Sequence, residues 1–165
     1  MADIVSERYA QSLYEVAKDE KQEKEYLEEL TAVCGAFREN PDFLKLLTTP
    51  SIAFEDKQNV LKTVFEGKIR PFMLNFLMLT TEKGRIGLIH EMREAYKEQY
   101  YFENNIAEVC AVTAVPMSDA LRDRLKNKMQ AVTGRQVVLE TSVDPAIIGG
   151  IVVKVNNEQF DTSLR

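Results

Sequence analysis

The 165-residue sequence is poor in the groups that usually carry chemistry. It holds one histidine and two cysteines. His90 has Ile86 and Glu94 at helical spacing and no serine or cysteine nucleophile beside it, so a structural or surface role is expected for it. A single histidine also removes most metal sites, which need several converging ligands. Cys34 and Cys110 lie far apart in apolar surroundings, neither with a second cysteine or a histidine at ligand spacing, and are expected to be buried thiols. No metal and no cofactor are expected. No apolar run approaches the about 18 residues of a membrane span, and the acidic opening Met-Ala-Asp-Ile-Val-Ser-Glu has no apolar signal core. A soluble protein of a reducing compartment, without direct membrane insertion, is the expectation.

An excess of basic charge is missing too. The formal net charge is −5. From Ile106 onward seven basic residues balance seven acidic ones, so the deficit lies in residues 1–105, with 14 basic and 19 acidic. An acidic half without a basic stripe argues against nucleic acid and against an anionic membrane surface. A basic partner, such as a basic helix, suits it better.

What is present is regular apolar spacing. Hydrophobic residues make up 45% and charged residues 28%, ordinary for a folded protein. Ile4, Val5, Tyr9, Ala10, Leu13, Val16 and Ala17 form one helical stripe. Tyr26, Leu27, Leu30, Val33, Cys34 and Phe37 form a second. Asn40 and Pro41 suit the cap and first position of a short third helix, ended by Thr49-Pro50. A fourth runs from about Ala53 to Glu66 and stops at Gly67, and a fifth runs from Pro71 to Lys83. The sixth runs from Leu88 to Tyr101. Short links between them indicate an antiparallel bundle.

The pattern changes at Asn104-Asn105. Ile106 to Val115 reads as a strand. Pro116 and Ser118 lead into a helix with Leu121, Leu125, Met129 and Val132 on one face, closed by Gly134. Gln136–Ser142 and Ile151–Val155 read as two more strands around Asp144-Pro145…Gly149-Gly150. The fold class is therefore α+β, mostly α: a six-helix bundle over residues 1–105, then a small α/β domain over residues 106–165 with one helix on a three-stranded sheet.

Nothing in this pattern assembles an active site. Gly149-Gly150 precede a strand, whereas a P-loop ends in Lys-Ser/Thr and opens a helix. Adjacent carboxylates such as Glu28-Glu29 fit a solvated helix face, and no nucleophile–base–orienter set stands out. The fifth helix is different, because Phe72, Met73, Leu74, Phe76, Leu77, Met78 and Leu79 surround most of its circumference. Either it is the central helix of the bundle, or part of its surface is left for a partner helix.

The stretch from Val137 to Asn156 resembles the signature of the delta subunits of F-type ATP synthases, the family of the mitochondrial oligomycin-sensitivity-conferring protein. The matching positions are Val137, Leu139, Val143, Asp144, Ile147, Gly149, Gly150, Ile151, Val153, Lys154 and Asn156. The ending Asp161-Thr162-Ser163-Leu164-Arg165 resembles the family's Asp-x-Ser-apolar-basic pattern. Arg8 to Leu13 is similar to its first helix, and Asn75 to Leu77 with Glu82 to Arg85 to its fifth.

The resemblance implies a non-catalytic stator subunit, one copy per complex, on the cytoplasmic face of the bacterial cell membrane. The bundle would hold N-terminal helices of alpha subunits, and the C-terminal domain would meet the ends of the b subunits. Rotor torque would then be resisted during proton-driven ATP synthesis. In the family the groove lies between the first and fifth helices, which implies Tyr9, Ser12, Leu13, Phe76, Leu79 and Lys83 here. Phe76→Asp is accordingly expected to weaken alpha binding without unfolding the bundle. The alternatives are a helical adaptor or regulator capturing an unrelated amphipathic helix, and a nucleotide-holding enzyme.

Overall fold

The structure, a computed structural model, describes residues 3–156 and 158–161. It is mostly helical, with a small sheet near the C-terminus. By packing it divides into two compact units, one ending at Tyr100 and one beginning at Tyr101. That division falls within α6 (Ile89–Glu103), ahead of the 105/106 boundary read from the change of sequence pattern.

In the first unit the helices are α1 (Ile4–Asp19), α2 (Glu23–Glu39), α3 (Pro41–Thr48), α4 (Phe54–Phe65), α5 (Pro71–Glu82) and α6, the last entered by a 3-10 turn at Ile86–Leu88. The apolar stripes meet in one core. Ala10, Leu13, Tyr14 and Ala17 come from α1, Tyr26, Leu30, Val33 and Phe37 from α2, and Met73, Phe76 and Leu77 from α5. Phe37, Phe43 and Phe65 stack with ring centroids 5.1–6.1 Å apart, tying α2, α3 and α4 together.

Local signals explain most of the helix ends. The Asp3 carboxylate accepts from the Ser6 backbone N–H at 2.7 Å and caps α1. That bond holds the Asp3 carboxyl below its ordinary pKa. Asn40 departs from the sequence reading. Its amide donates back to the Ala36 carbonyl at 3.2 Å, so it closes α2, and no side-chain bond caps α3. Pro41 starts α3 through its fixed φ alone.

In the second unit β1 (Ile106–Thr113) is followed by α7 (Asp119–Thr133), β2 (Gln136–Val143), β3 (Ile151–Val155) and β4 (Glu158–Asp161). The sheet order is β2-β1-β3-β4, so the sheet has four strands and not the three expected. The fourth was hidden because Glu-Gln-Phe-Asp lacks the β-branched residues that mark strands. It is reached through Asn156, whose φ of 52° is left-handed.

β1 and β2 are parallel neighbours, which requires a crossover, and α7 supplies it. Register sets the inner face. Ala107 lies opposite Val137, and Val109 lies between Leu139 and Val155. Met129 of α7 packs on this cluster. The rest of α7 is less covered than its apolar stripe suggested: none of its residues is fully buried, and Leu121 and Val132 are exposed.

Candidate docking surface

The face that α1 and α5 share is the one the family resemblance implied as a groove. Pro71 starts α5, and the residue before it anchors the helix. The Arg70 backbone N–H donates to Glu29 Oε1 at 2.7 Å, its guanidinium reaches Glu29 Oε2 at 3.3 Å, and its Nε donates to Gln22 at 2.9 Å. The same guanidinium lies 5.3 Å from the centre of the Tyr26 ring. Burial, with a hydrogen bond to Glu20, pushes the Tyr26 hydroxyl well above its ordinary pKa. Thr80 and Thr81 turn their hydroxyls onto α5's own carbonyls, which satisfies them inside the core.

The six residues expected in the groove separate by depth. Leu13 is buried and Phe76 is only 8% exposed, so both belong to the bundle core. Tyr9 is half-buried, its ring edge-on to Phe76 with centroids 6.4 Å apart. Leu79 is 45% exposed, and Ser12 and Lys83 face solvent. The Ser12 hydroxyl donates to the Arg8 carbonyl at 3.0 Å. Phe76 therefore supports the surface from beneath, with little of its ring left open to a partner. Phe72, 52% exposed, stands one turn before Phe76, and Ile4 at the start of α1 is exposed as well. Neither was among the groove positions drawn from the sequence. Phe72, Phe76 and Leu79 recur at i, i+4 and i+7, the spacing that could have found the first of them. The open choice for α5 is thus settled in part: one side is core, and an apolar strip remains outside.

The histidine and the two cysteines are the groups closest to catalytic chemistry. His90 is half-buried, its Nδ1 has no partner among the described residues, and burial beside Arg38 pulls its pKa below the ordinary value. Burial raises the Cys34 thiol to about 11, the wrong direction for a nucleophile. Cys110 is half-buried, where full burial was expected. Among the described residues no group of three or more His, Cys, Asp or Glu side chains could hold a metal ion. No helix there is long and apolar enough to cross a membrane.

The C-terminal signature residues do structural work. Asp144 receives the Ala146 N–H on its carboxylate at 3.0 Å and ties its own N–H to the Thr113 carbonyl at 2.8 Å, an Asx turn pinned to the end of β1. Ile147 is buried, and Gly150 adopts a left-handed φ of 79° at the entry to β3. Asn156 exchanges bonds with the Glu108 backbone at 2.9 and 3.2 Å. Val137, Leu139 and Val153 face the inner cluster, whereas Val143 and Lys154 are exposed. Gly149 is half-buried with open space where a side chain would project. The part of the signature ending at Thr162–Arg165 lies outside the described residues.

A family model for the ATP synthase delta (OSCP) subunit matches residues 5–165. The chain belongs to that family. It is 36% identical to the ATP synthase subunit delta of Solidesulfovibrio magneticus, over 99% of this chain and 91% of that one. It is 37% identical to that of Synechocystis, over 98% and 88%, and 32% identical to that of Alkaliphilus metalliredigens, over 100% and 92%. A chain in the mitochondrial ATP synthase hexamer of Toxoplasma gondii shares the fold, with a TM-score of 0.79 at 20% identity over 98% and 92% of the two chains. As a delta (OSCP) subunit the chain is a structural, non-catalytic component of the peripheral stalk of the membrane-associated F-type ATP synthase. Its partners are subunits of that complex, and the reading as an unrelated helical adaptor is not favoured.

Proposed function

We propose that the N-terminal six-helix bundle captures an N-terminal helix of the alpha subunits on its α1–α5 face, while the C-terminal domain meets the ends of the b subunits. One copy per complex, on the cytoplasmic face of the bacterial membrane, then holds the catalytic head against rotor torque. The observation that carries the reading is the strip formed by Phe72 and Leu79, left exposed on α5 beside the Tyr9–Phe76 pair. Each such side chain, once covered, contributes about 1.5–3 kcal/mol. An amphipathic helix would supply that cover. The acidic balance of the bundle favours a partner segment with basic flanks.

A bridging assay tests this. Immobilised soluble b segment should retain the catalytic head only when the full chain is added, and a head whose alpha subunits lack their N-terminal segments should not be retained. Retention of the truncated head would sink the alpha half of the reading.

A further inference from the structure

A cavity of about 730 Å³ opens between α7 and the start of β3, wholly within the second unit. Half-buried Met117, Leu125 and Ile151, with Leu121 at 49% exposure, give it apolar walls. The charged side chains that line it among the described residues are Arg124 and Lys128, both exposed at its rim, and no carboxylate lines it there. These two stand one turn apart on α7. Neither has an ion pair or a hydrogen bond among the described residues. We infer that the cavity binds one molecule of a single-chain anionic amphiphile, a fatty carboxylate. Its alkyl chain lies between Leu121 and Ile151, and its carboxylate meets Arg124 and Lys128. The site is independent of the docking proposed above and stands or falls by itself.

Size, walls and charge each narrow the ligand. Small-molecule sites commonly enclose about 300–1,000 Å³, a range that includes this cavity. A sugar or a nucleotide needs several polar groups converging inside. Here the uncharged polar side chains on the lining are Thr113 and Asn127. The Thr113 hydroxyl already donates to the Val115 carbonyl at 2.6 Å, and Asn127 is exposed. A cationic ligand would meet two like charges and no carboxylate. A neutral hydrocarbon would use the walls and gain nothing from the cations. An alkyl chain that ends in a carboxylate uses both. The Arg124 guanidinium presents a planar pair of donors to a carboxylate, and Lys128 adds a point charge beside it. Because both stand at the solvent-facing rim, the anion is bound without losing all its water. Seating a second copy's α7 here would bring like charges together, which disfavours a symmetric dimer.

Calorimetry on the full chain with octanoate, decanoate and dodecanoate, each kept below its micelle concentration, tests the site. One molecule should bind per chain, with affinity rising roughly two- to fourfold for each added methylene as the walls cover it. Leu121→Asp should weaken decanoate binding at least about tenfold at an unchanged melting curve, since the position is exposed. Arg124→Gln with Lys128→Gln should weaken decanoate about three- to tenfold and leave decanol binding as it was. Wild-type affinity for decanoate should fall as salt is raised. Affinity that ignores chain length, no binding at all, or uptake of many molecules only near micelle formation overturns the inference. Equal binding of decyltrimethylammonium, or no loss in the double variant, removes the anionic head group. Binding of decyl phosphate with none of decanoate overturns the carboxylate. A chain that self-associates in sedimentation, and stops doing so with Leu121→Asp, assigns the walls to a contact between copies and overturns the inference as well.

Discussion

Phe76 and Leu79 stand three residues apart on α5 and have different roles. Phe76 is enclosed by the core with Tyr9 edge-on to it, so its replacement acts on folding. Phe76→Ala is expected to lower stability by about 3–5 kcal/mol, measured by denaturant unfolding. The earlier expectation that Phe76→Asp spares the fold does not survive this burial. Cys34 offers a second test at the same scale. Its thiol, raised to about 11 by burial, keeps its proton where an unfolded cysteine has lost it. The contribution is present below the unfolded value of about 8.5 and is lost as pH rises through about 11. The alkaline limb of a stability–pH profile should therefore be shallower for Cys34→Ala than for the wild type, and equal slopes would contradict the assignment.

The elements differ in how visible they were. Helices with a stripe and a start or stop signal, such as α3, α4 and α5, could be read from spacing together with Pro41, Gly67 and Pro71. β4 could not, since three of its four residues, Glu158, Gln159 and Asp161, carry little strand preference and pairing with β3 organises them. The anchoring of α5 was equally hidden. Glu29 and Arg70 are 41 positions apart, and only the folded bundle brings them together. The bond from a backbone N–H to a carboxylate, joined by the guanidinium, fixes the start of the helix that carries Phe72 and Leu79. Glu29→Gln and Arg70→Ala should each destabilise the bundle by about 1–3 kcal/mol. The double variant should fall well short of the sum, because the two share one interaction. Additive losses in a double-mutant cycle would show that the pair is not coupled.

For the whole molecule, the change of style near Asn104 marked two kinds of structure, and the run from Val137 to Asn156 carried the family. Those residues were legible because they are local: the Asp144 turn, the left-handed Gly150 and the inner-face valines each act within a few positions or one strand pairing. The candidate surface was only half legible. Periodicity shows that α5 is apolar on most sides, but which side the bundle leaves uncovered depends on where α1 packs. The groove positions implied by the family resemblance therefore lack the exposed Phe72 and include Leu13 and Phe76, which the fold buries.

The most direct measurement is calorimetric titration of the full chain with the N-terminal peptide of the same organism's alpha subunit, repeated with Leu79→Asp. The account predicts stoichiometric binding with a negative heat-capacity change, the mark of apolar burial. It also predicts a loss of about tenfold or more in affinity for the variant at an unchanged melting temperature. Binding that ignores Leu79→Asp, or no binding by the folded chain, would contradict capture of the alpha helix on the α1–α5 face.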